Sequence, residues 1–210
     1  FGSHLLRHVL MNTDWDIVGI STFRHKGESD RINGMLDNHH DWKPRYRHVT
    51  HDLIGPFSQR TKEKIGKVDI IVNLASLSDV QASIEDPVTF IQNNVWSTLN
   101  MLEYAREVKP EVFIQISTDE VYGAVSKDSE GHKEWDSIVP SNPYSASKAA
   151  ADLLVLAWAR TYKIEYIIVR PTNNYGVNQY PEKLIPLSVK LLQRGKKIRL
   201  HNRGTPVRNW

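Results

Sequence analysis

No cysteine occurs in the 210 residues. That absence excludes a disulfide framework, a thiol nucleophile and a thiolate metal site. No apolar run approaches the roughly 18 residues of a membrane-spanning helix, and no signal-peptide pattern is visible. An excess of one charge is missing too. There are 27 Lys and Arg against 24 Asp and Glu, a formal net charge of +3, so bulk electrostatics do not call for nucleic acid. Internal repeats and low-complexity tracts are also lacking. What is present is ordinary for a soluble globular protein: 40% apolar and 24% charged residues. The expectation is a soluble cytoplasmic protein that binds neither membrane nor nucleic acid.

Short β-rich runs alternate with longer helical ones. Strands are expected at 16–21 ("DIVGIS"), 69–75 ("DIIVNLA"), 111–117 ("EVFIQIS") and 165–171 ("EYIIVRP"). Helices are expected at 90–108, where Val95, Leu99, Leu102 and Ala105 share one face, at 145–163 and at 182–196. Such alternation predicts an α/β fold, a doubly wound parallel sheet with helices on both faces. The polar, aperiodic stretch 124–142 reads as a surface loop. The chain opens on "FGSHLLRHVL" already in a helix, with no strand before it, and stops at "VRNW". Truncation at both ends of a longer protein is therefore expected. The division expected is a dinucleotide-binding domain at 1–171 and the start of a smaller substrate-binding part at 172–210.

Two adjacent carboxylates, Asp119 and Glu120 in "ISTDEVYG", follow the strand expected at 111–117. Strand neighbours point to opposite faces and cannot share a task. At the carboxyl end of a strand in an open α/β sheet, where ligands bind, they can. Polarity at a strand-to-loop junction is the bland alternative. Further on, "PYSASK" places Tyr144 and Lys148 four residues apart, hence on one face of a helix. Free tyrosine titrates near 10. With a nearby ammonium and a cofactor cation it could remove a hydroxyl proton while hydride leaves the same carbon. A surface Tyr–Lys pair on an amphipathic helix is the bland alternative here.

"STDEVYG", "PYSASK", "NNYG…PEKLIP" and "RGTPVRNW" occur in that order. Together they resemble an extended short-chain dehydrogenase/reductase, and within it the nucleoside-diphosphate-glucose 4,6-dehydratases. The resemblance implies a Rossmann-like fold and a lyase reaction that turns an NDP-hexose into its 4-keto-6-deoxy sugar. It implies catalytic roles for Thr118, Asp119, Glu120, Tyr144 and Lys148. Asp119 would be the acid facing O6, and Glu120 the base facing C5. Cofactor contacts are implied for Gly2, the last glycine of a phosphate turn, for the pair Asp52 and Leu53, and for Ala75 and Ser76. Asn94 would support the active-site lysine, and Tyr144 and Lys148 would also contact the cofactor. Thr118, Asn173, Glu182, Lys183, Leu184 and Arg208 would hold the nucleotide sugar. A homodimer is implied, built on the helices near 90–108 and 145–162.

The resemblance implies NAD. However, "ISTFRHKG" offers Thr22 and Arg24 at the second strand's end, with no acid before Glu28. A carboxylate there normally meets the ribose hydroxyls of NAD. NADP is therefore expected to be accepted, with preference for it left open. Departures from the family pattern are Leu77, Asp79, Gln81 and Ala82, the run Val177-Asn178-Gln179, and Asn209. They bear on the identity of the sugar or nucleotide more than on the reaction. His39, His40, His48 and His51 read as a polar loop and strand, in a part where the family holds no metal. The basic run Arg194, Lys196, Lys197, Arg199 and Arg203 reads as a solvated helix end. Leu154 and Trp158 read as core or subunit interface. Two readings compete with the dehydratase: a nucleotide-sugar 4-epimerase of the same superfamily, and a catalytically silent dinucleotide-binding regulator.

Overall fold

The computed structural model describes residues 1–23, 29–125 and 130–199. The chain divides into two compact units, Phe1–Arg170 and Pro171–Trp210.

The first unit opens with helix α1 (Gly2–Asn12) and continues as β1 (Ile17–Ser21), α2 (Ser29–Asp37), β2 (Tyr46–Thr50), α3 (Gln59–Ile65), β3 (Ile70–Asn73), α4 (Val80–Glu85), α5 (Pro87–Val108), β4 (Val112–Ile116), α6 (Pro143–Tyr162) and β5 (Tyr166–Val169). All strand pairs are parallel. β1 pairs with β2, and β3, β4 and β5 form a second sheet in that order. Parallel neighbours require a crossover, and a helix supplies each one. The long elements lie close to their expected places. The short α2, α3 and α4 were not expected, because a run of six to nine residues shows too little 3.6 periodicity to stand out.

Helix starts follow from local chemistry. Ser58, Asp79 and Asp86 each accept a backbone N–H at the head of α3, α4 and α5. Asn142 and Ser145 form a reciprocal capping box on α6, with Pro143 in the first turn. The cap moves the start of α6 from the expected 145 to 143. α5 and α6 both end on a left-handed lysine, Lys109 (φ 52°) and Lys163 (φ 58°).

α5 packs along α6, and both sheets share one apolar cluster with them. Val49, Ile65, Ile71, Leu102, Ala105, Phe113 and Val155 form its centre, with Val18 and Ile20 of β1 and Ile168 of β5 packed against it. Each fully buried apolar side chain of this kind contributes about 1.5–3 kcal/mol. Leu154 and Trp158 pack against the same cluster, and Trp158 Nε1 donates to Glu103 Oε1 (2.8 Å). Among the described residues no helix is long and apolar enough to cross a membrane.

The second unit holds α7 (Leu184–Gln193), two residues shorter at its start and three at its end than the helix expected at 182–196. None of its residues is buried, although Leu184, Ile185, Leu187, Val189 and Leu192 are apolar.

Candidate active site

β4 ends at Ile116, and the next two residues, Ser117 and Thr118, are buried. Thr118 then caps a 3-10 turn, Asp119–Tyr122. Its Oγ1 accepts from the Glu120 N–H and donates to Asp119 Oδ1, both at 3.3 Å. The paired acids therefore stand on a tight turn, not on the strand itself. This removes the alternation that would send them to opposite faces. Gly123 closes the turn with φ 87°, and a Cβ there would collide with the Val139 carbonyl oxygen. Val139 N–H donates to Val121 O (2.9 Å), so the turn is docked on the segment before α6.

That segment supplies a residue the sequence reading missed. Asn142, the α6 cap, also donates from Nδ2 to Glu120 Oε2 (3.3 Å). One side chain thus sets both the start of α6 and the position of Glu120. "SNPYS" carried the signal: Asn, then Pro, with Ser three residues after Asn, marks a helix start.

α6 brings Tyr144 and Lys148 to the same place. Both are buried, at 8% and 3% exposure. Tyr144 N–H donates to Ser83 Oγ on α4 (3.1 Å). Lys148 Nζ donates to Ile116 O at the end of β4 (2.7 Å). The Thr118 hydroxyl favours the ionised form of the Tyr144 hydroxyl. Thr118, Asp119, Glu120, Tyr144 and Lys148 therefore converge. Burial pushes the Tyr144 hydroxyl up to about 12; the Glu120 and Asp119 charges add to this, and Thr118 opposes it. Burial lowers the Lys148 ammonium to about 8, against the attraction of Asp152.

Asn94 of α5 is almost fully buried and fully engaged. Its Oδ1 accepts from Leu77 N–H (2.8 Å), while Nδ2 donates to Leu77 O (3.0 Å) and Ser147 Oγ (2.8 Å). Its partner on α6 is Ser147, the residue before Lys148; its side-chain hydrogen bonds go to Leu77 and Ser147, and none goes to the lysine itself. Asn100, one and a half turns along α5, donates to Leu53 O and Ile54 O (2.8 Å each). Helix α5 thus gathers the loops that follow β2 and β3 at the strands' carboxyl ends. The expected cofactor residues lie there: Thr22 after β1, Asp52 and Leu53 after β2, Ala75 and Ser76 after β3. Asp52 Oδ1 accepts from Ile54 N–H (3.2 Å), and Ser76 Oγ donates to Leu77 O (2.8 Å). Gly2 opens α1, where an added Cβ meets nothing within 4 Å, so this chain's own packing does not demand glycine.

In the second unit, Asn173, Glu182 and Lys183 are half-buried and Leu184 is exposed. Lys183 is the N-cap residue of α7 and lies 3.7 Å from Glu182 Oε1. Arg24, Arg203, Arg208 and Asn209 fall outside the described residues. The histidines take separate contacts: His39 stacks on Trp42, His48 lies against Phe23, and His51 stacks on Phe57. Among the described residues no group of three or more His, Cys, Asp or Glu could hold a metal ion.

The sequence matches the NAD dependent epimerase/dehydratase family over residues 1–210. The chain belongs to that family. Among curated proteins it is 34% identical to a dTDP-glucose 4,6-dehydratase of Neisseria gonorrhoeae, covering all of this chain and 62% of that protein. It is 35% identical to the low-salt glycan biosynthesis protein Agl12 of Haloferax volcanii, covering all of this chain and 64% of that one. Among solved structures, a dTDP-glucose 4,6-dehydratase double mutant from Streptomyces venezuelae with NAD bound superposes with a TM-score of 0.90 at 33% identity, over 100% of this chain and 64% of that one. A UDP-glucuronic acid 4-epimerase from Bacillus cereus, also with NAD, gives 0.80 at 25% identity, over 93% and 60%. The chain thus spans somewhat under two thirds of the length of these relatives.

This family's nicotinamide cofactor can be tested against the residues themselves. Lys148 is buried, and of its three N–H donors one is taken by Ile116 O. Ser21 Oγ, at the carboxyl end of β1, is buried without a hydrogen-bond partner. Donors and acceptors of this kind at the strands' carboxyl ends fit a dinucleotide.

Proposed function

We propose that this chain carries the catalytic core of an NAD-dependent nucleotide-sugar 4,6-dehydratase acting on dTDP- or UDP-glucose. One observation carries the reading above all. Asp119 and Glu120 share a Thr118-capped turn, and both carboxyls lie close enough to influence the buried hydroxyl of Tyr144. An alcohol oxidation alone needs one base. Two further carboxyls at the same place suit a second proton-transfer step, elimination of water.

Bound NAD supplies a cationic ring that accepts hydride from C4 and returns it to C6. Tyr144 takes the proton of the C4 hydroxyl, and Thr118 steadies that oxygen. With the hydroxyl up at about 12, bringing Tyr144 near neutrality takes about 7 kcal/mol of differential stabilisation. Lys148, one helical turn away, supplies part of it and offers its remaining donors to the cofactor ribose. The C4 ketone acidifies the C5 proton, which Glu120 takes. Asn142 Nδ2 donates to Glu120 Oε2, a bond that suits the ionised, proton-accepting form of that carboxylate. Asp119 gives its proton to the departing O6, which leaves as water. Glu120 gives its proton back to C5, and the C4 hydroxyl proton taken by Tyr144 makes good, through solvent, the one Asp119 gave, so the net loss is one water.

Asn173, Glu182, Lys183, Leu184 and Arg208 are assigned to the nucleotide sugar. Thr22, Arg24, Asp52, Leu53, Ala75 and Ser76 are assigned to the cofactor, with NADP accepted beside NAD. The exposed apolar side chains Ile91 and Trp96 of α5 and Leu153 and Leu156 of α6 support a homodimer. Trp96→Glu with Leu153→Glu should yield a monomer by light scattering, and an unchanged mass would refute it.

The deciding experiment incubates the protein and NAD with dTDP-, UDP-, GDP- and CDP-hexoses. Loss of one water from one of them is expected. A product of unchanged mass with C4 inverted would make the chain a 4-epimerase. Bound dinucleotide with no turnover at all would leave a silent regulator.

A further inference from the structure

Asp152 is the one acidic side chain of α6, and it is completely buried. It stands one helical turn beyond Lys148, as Lys148 stands one turn beyond Tyr144. The three therefore form a stripe at i, i+4 and i+8 on one helix face. The proposed chemistry gives Asp152 no task. Burying a carboxylate costs several kcal/mol, even after the protein relaxes around it. Such a group stays charged in a core only when it is paired.

Its partner comes from the far end of β5. Arg170 Nε donates to Asp152 Oδ2 at 2.9 Å. The same guanidinium donates to the Tyr122 hydroxyl (2.6 Å) and to Glu134 O (3.1 Å), and lies over the Tyr122 ring with Cζ 5.0 Å from its centre. Tyr122 is the last residue of the turn that begins with Asp119 and Glu120. Arg170 therefore ties three things together: α6, the acid-bearing turn and the segment before α6. On the other side of Asp152 stands Ser117, at the end of β4. Its hydroxyl favours the charged form, but Ser117 Oγ and Asp152 Oδ1 are both buried without a hydrogen-bond partner, so among the described residues Arg170 is the carboxylate's one direct bond.

The charges around Asp152 divide unequally. Burial raises the carboxyl's pKa, and Arg170, Ser117 and Lys148 pull against that. The ammonium of Lys148 feels Asp152 as its attracting charge. Arg170 acts on Asp152 and Tyr122, and its own charge is favoured by both. Beyond Tyr122 lie His132, stacked on its ring at 5.2 Å, and Asp136, 3.3 Å from the His132 ring nitrogen. Asp119 and Glu120 act on Tyr144 from the other end of the stripe.

We propose that Asp152 is a positioning residue of the active site: clamped by Arg170, its buried carboxylate keeps Lys148 charged and directed at the end of β4, and so keeps the Tyr144–Lys148 pair competent. This rests on the reading given under Proposed function. The prediction is specific in pH. Lys148 stands at about 8 with Asp152 in place, so cofactor binding and turnover should fall as pH rises through that region. Removing an opposite charge at this range moves a titration by about one pH unit or more. In Asp152→Asn the alkaline limb should therefore move down by at least about one unit. At pH 8 this cuts the protonated fraction from about one half to about one tenth. Asp152→Glu should restore the limb in large part.

Two profiles test this: NAD affinity by fluorescence titration, and turnover of dTDP-glucose, each across pH 6–10 alongside a thermal melt. A merely structural Asp152 would lower the melting temperature and leave both limbs in place, which would overturn the proposal. If Asp152→Asn fails to fold, Asp152→Leu with Arg170→Met swaps the ion pair for apolar side chains, a change that often preserves stability. The same downward move is expected, and an unmoved limb again overturns it. The two readings fail separately. A shifted NAD-binding limb without turnover of any sugar nucleotide sinks the dehydratase and keeps this role. Turnover with an unshifted limb does the reverse.

Discussion

Helices α6 and α7 are both rich in apolar residues, yet they are built for different work. α6 buries Tyr144, Ser145, Ser147, Lys148, Ala149, Ala151, Asp152 and Val155. Half of these are polar or charged, and each polar one has partners in the surrounding elements. α7 buries nothing. The groups assigned to proton transfer are therefore fixed by the folding energy of the first unit. Apart from Thr118, the groups assigned to the sugar nucleotide lie on the second unit, whose helix has most of its apolar side chains exposed in a chain that spans under two thirds of its relatives' length. Rigid placement within a few tenths of an ångström is what general acids and bases need.

This contrast makes mutations fall into two kinds. Tyr144→Phe should have the largest effect: at least about a hundredfold loss of kcat, the scale of a lost general base, with KM nearly unchanged. Stopped-flow absorbance of the reduced nicotinamide would show it, and near-normal turnover would break the contrast at its strongest point. Lys183→Ala, in the second unit, should do the opposite. It should raise KM about tenfold, the worth of one charged hydrogen bond, and leave kcat within about twofold. A fall in kcat instead would place Lys183 with the proton-transfer groups. Arg24→Ala sharpens the cofactor side. It should weaken NADP by about fivefold or more and NAD by less, read by titrating both into stripped protein; equal weakening would argue against a 2′-phosphate contact. Smallest is Ser58→Ala, at the cap of α3. It should cost about 1 kcal/mol in denaturant unfolding and leave kinetics untouched.

How much of this was legible in the sequence depended on the range of the interaction involved. The helical period of α5 and the apolar run of β4 are local patterns, and both elements stand close to their expected places. Of the expected α5 face, Leu102 and Ala105 are buried, whereas Val95 and Leu99 are only half-buried and Asn94, Ser97 and Thr98 take the interior instead. Tyr144 and Lys148 were legible as a pair because four residues on a helix is a fixed distance. The acids at 119 and 120 were legible as unusual but not as a turn. Their geometry comes from the Thr118 cap and from Gly123 meeting Val139, a contact sixteen residues away. The cap role of Asn142 is legible in "SNPYS", whereas its bond to Glu120, twenty-two residues away, is tertiary and is not. Asp152 and Arg170 could not be paired from sequence, because their meeting depends on β5 lying beside β4 with α6 packed over both. The Arg24 assignment rests on the residues of "ISTFRHKG" and that of Arg208 on the family resemblance, since both fall outside the described residues.

The division of labour between the paired acids is the central claim, and one measurement reaches it directly. Glu120→Gln is mixed with NAD and dTDP-glucose in deuterium oxide, while nicotinamide absorbance and substrate mass are followed together. Reduction of the nicotinamide should persist, because Tyr144 still serves C4. Deuterium at C5 should be nearly absent and no water should be lost, because the base for C5 is gone. If the variant instead incorporates deuterium at C5 and forms the 4-keto-6-deoxy product at the parent rate, Glu120 is not that base, and the paired acids are only the polar end of a strand.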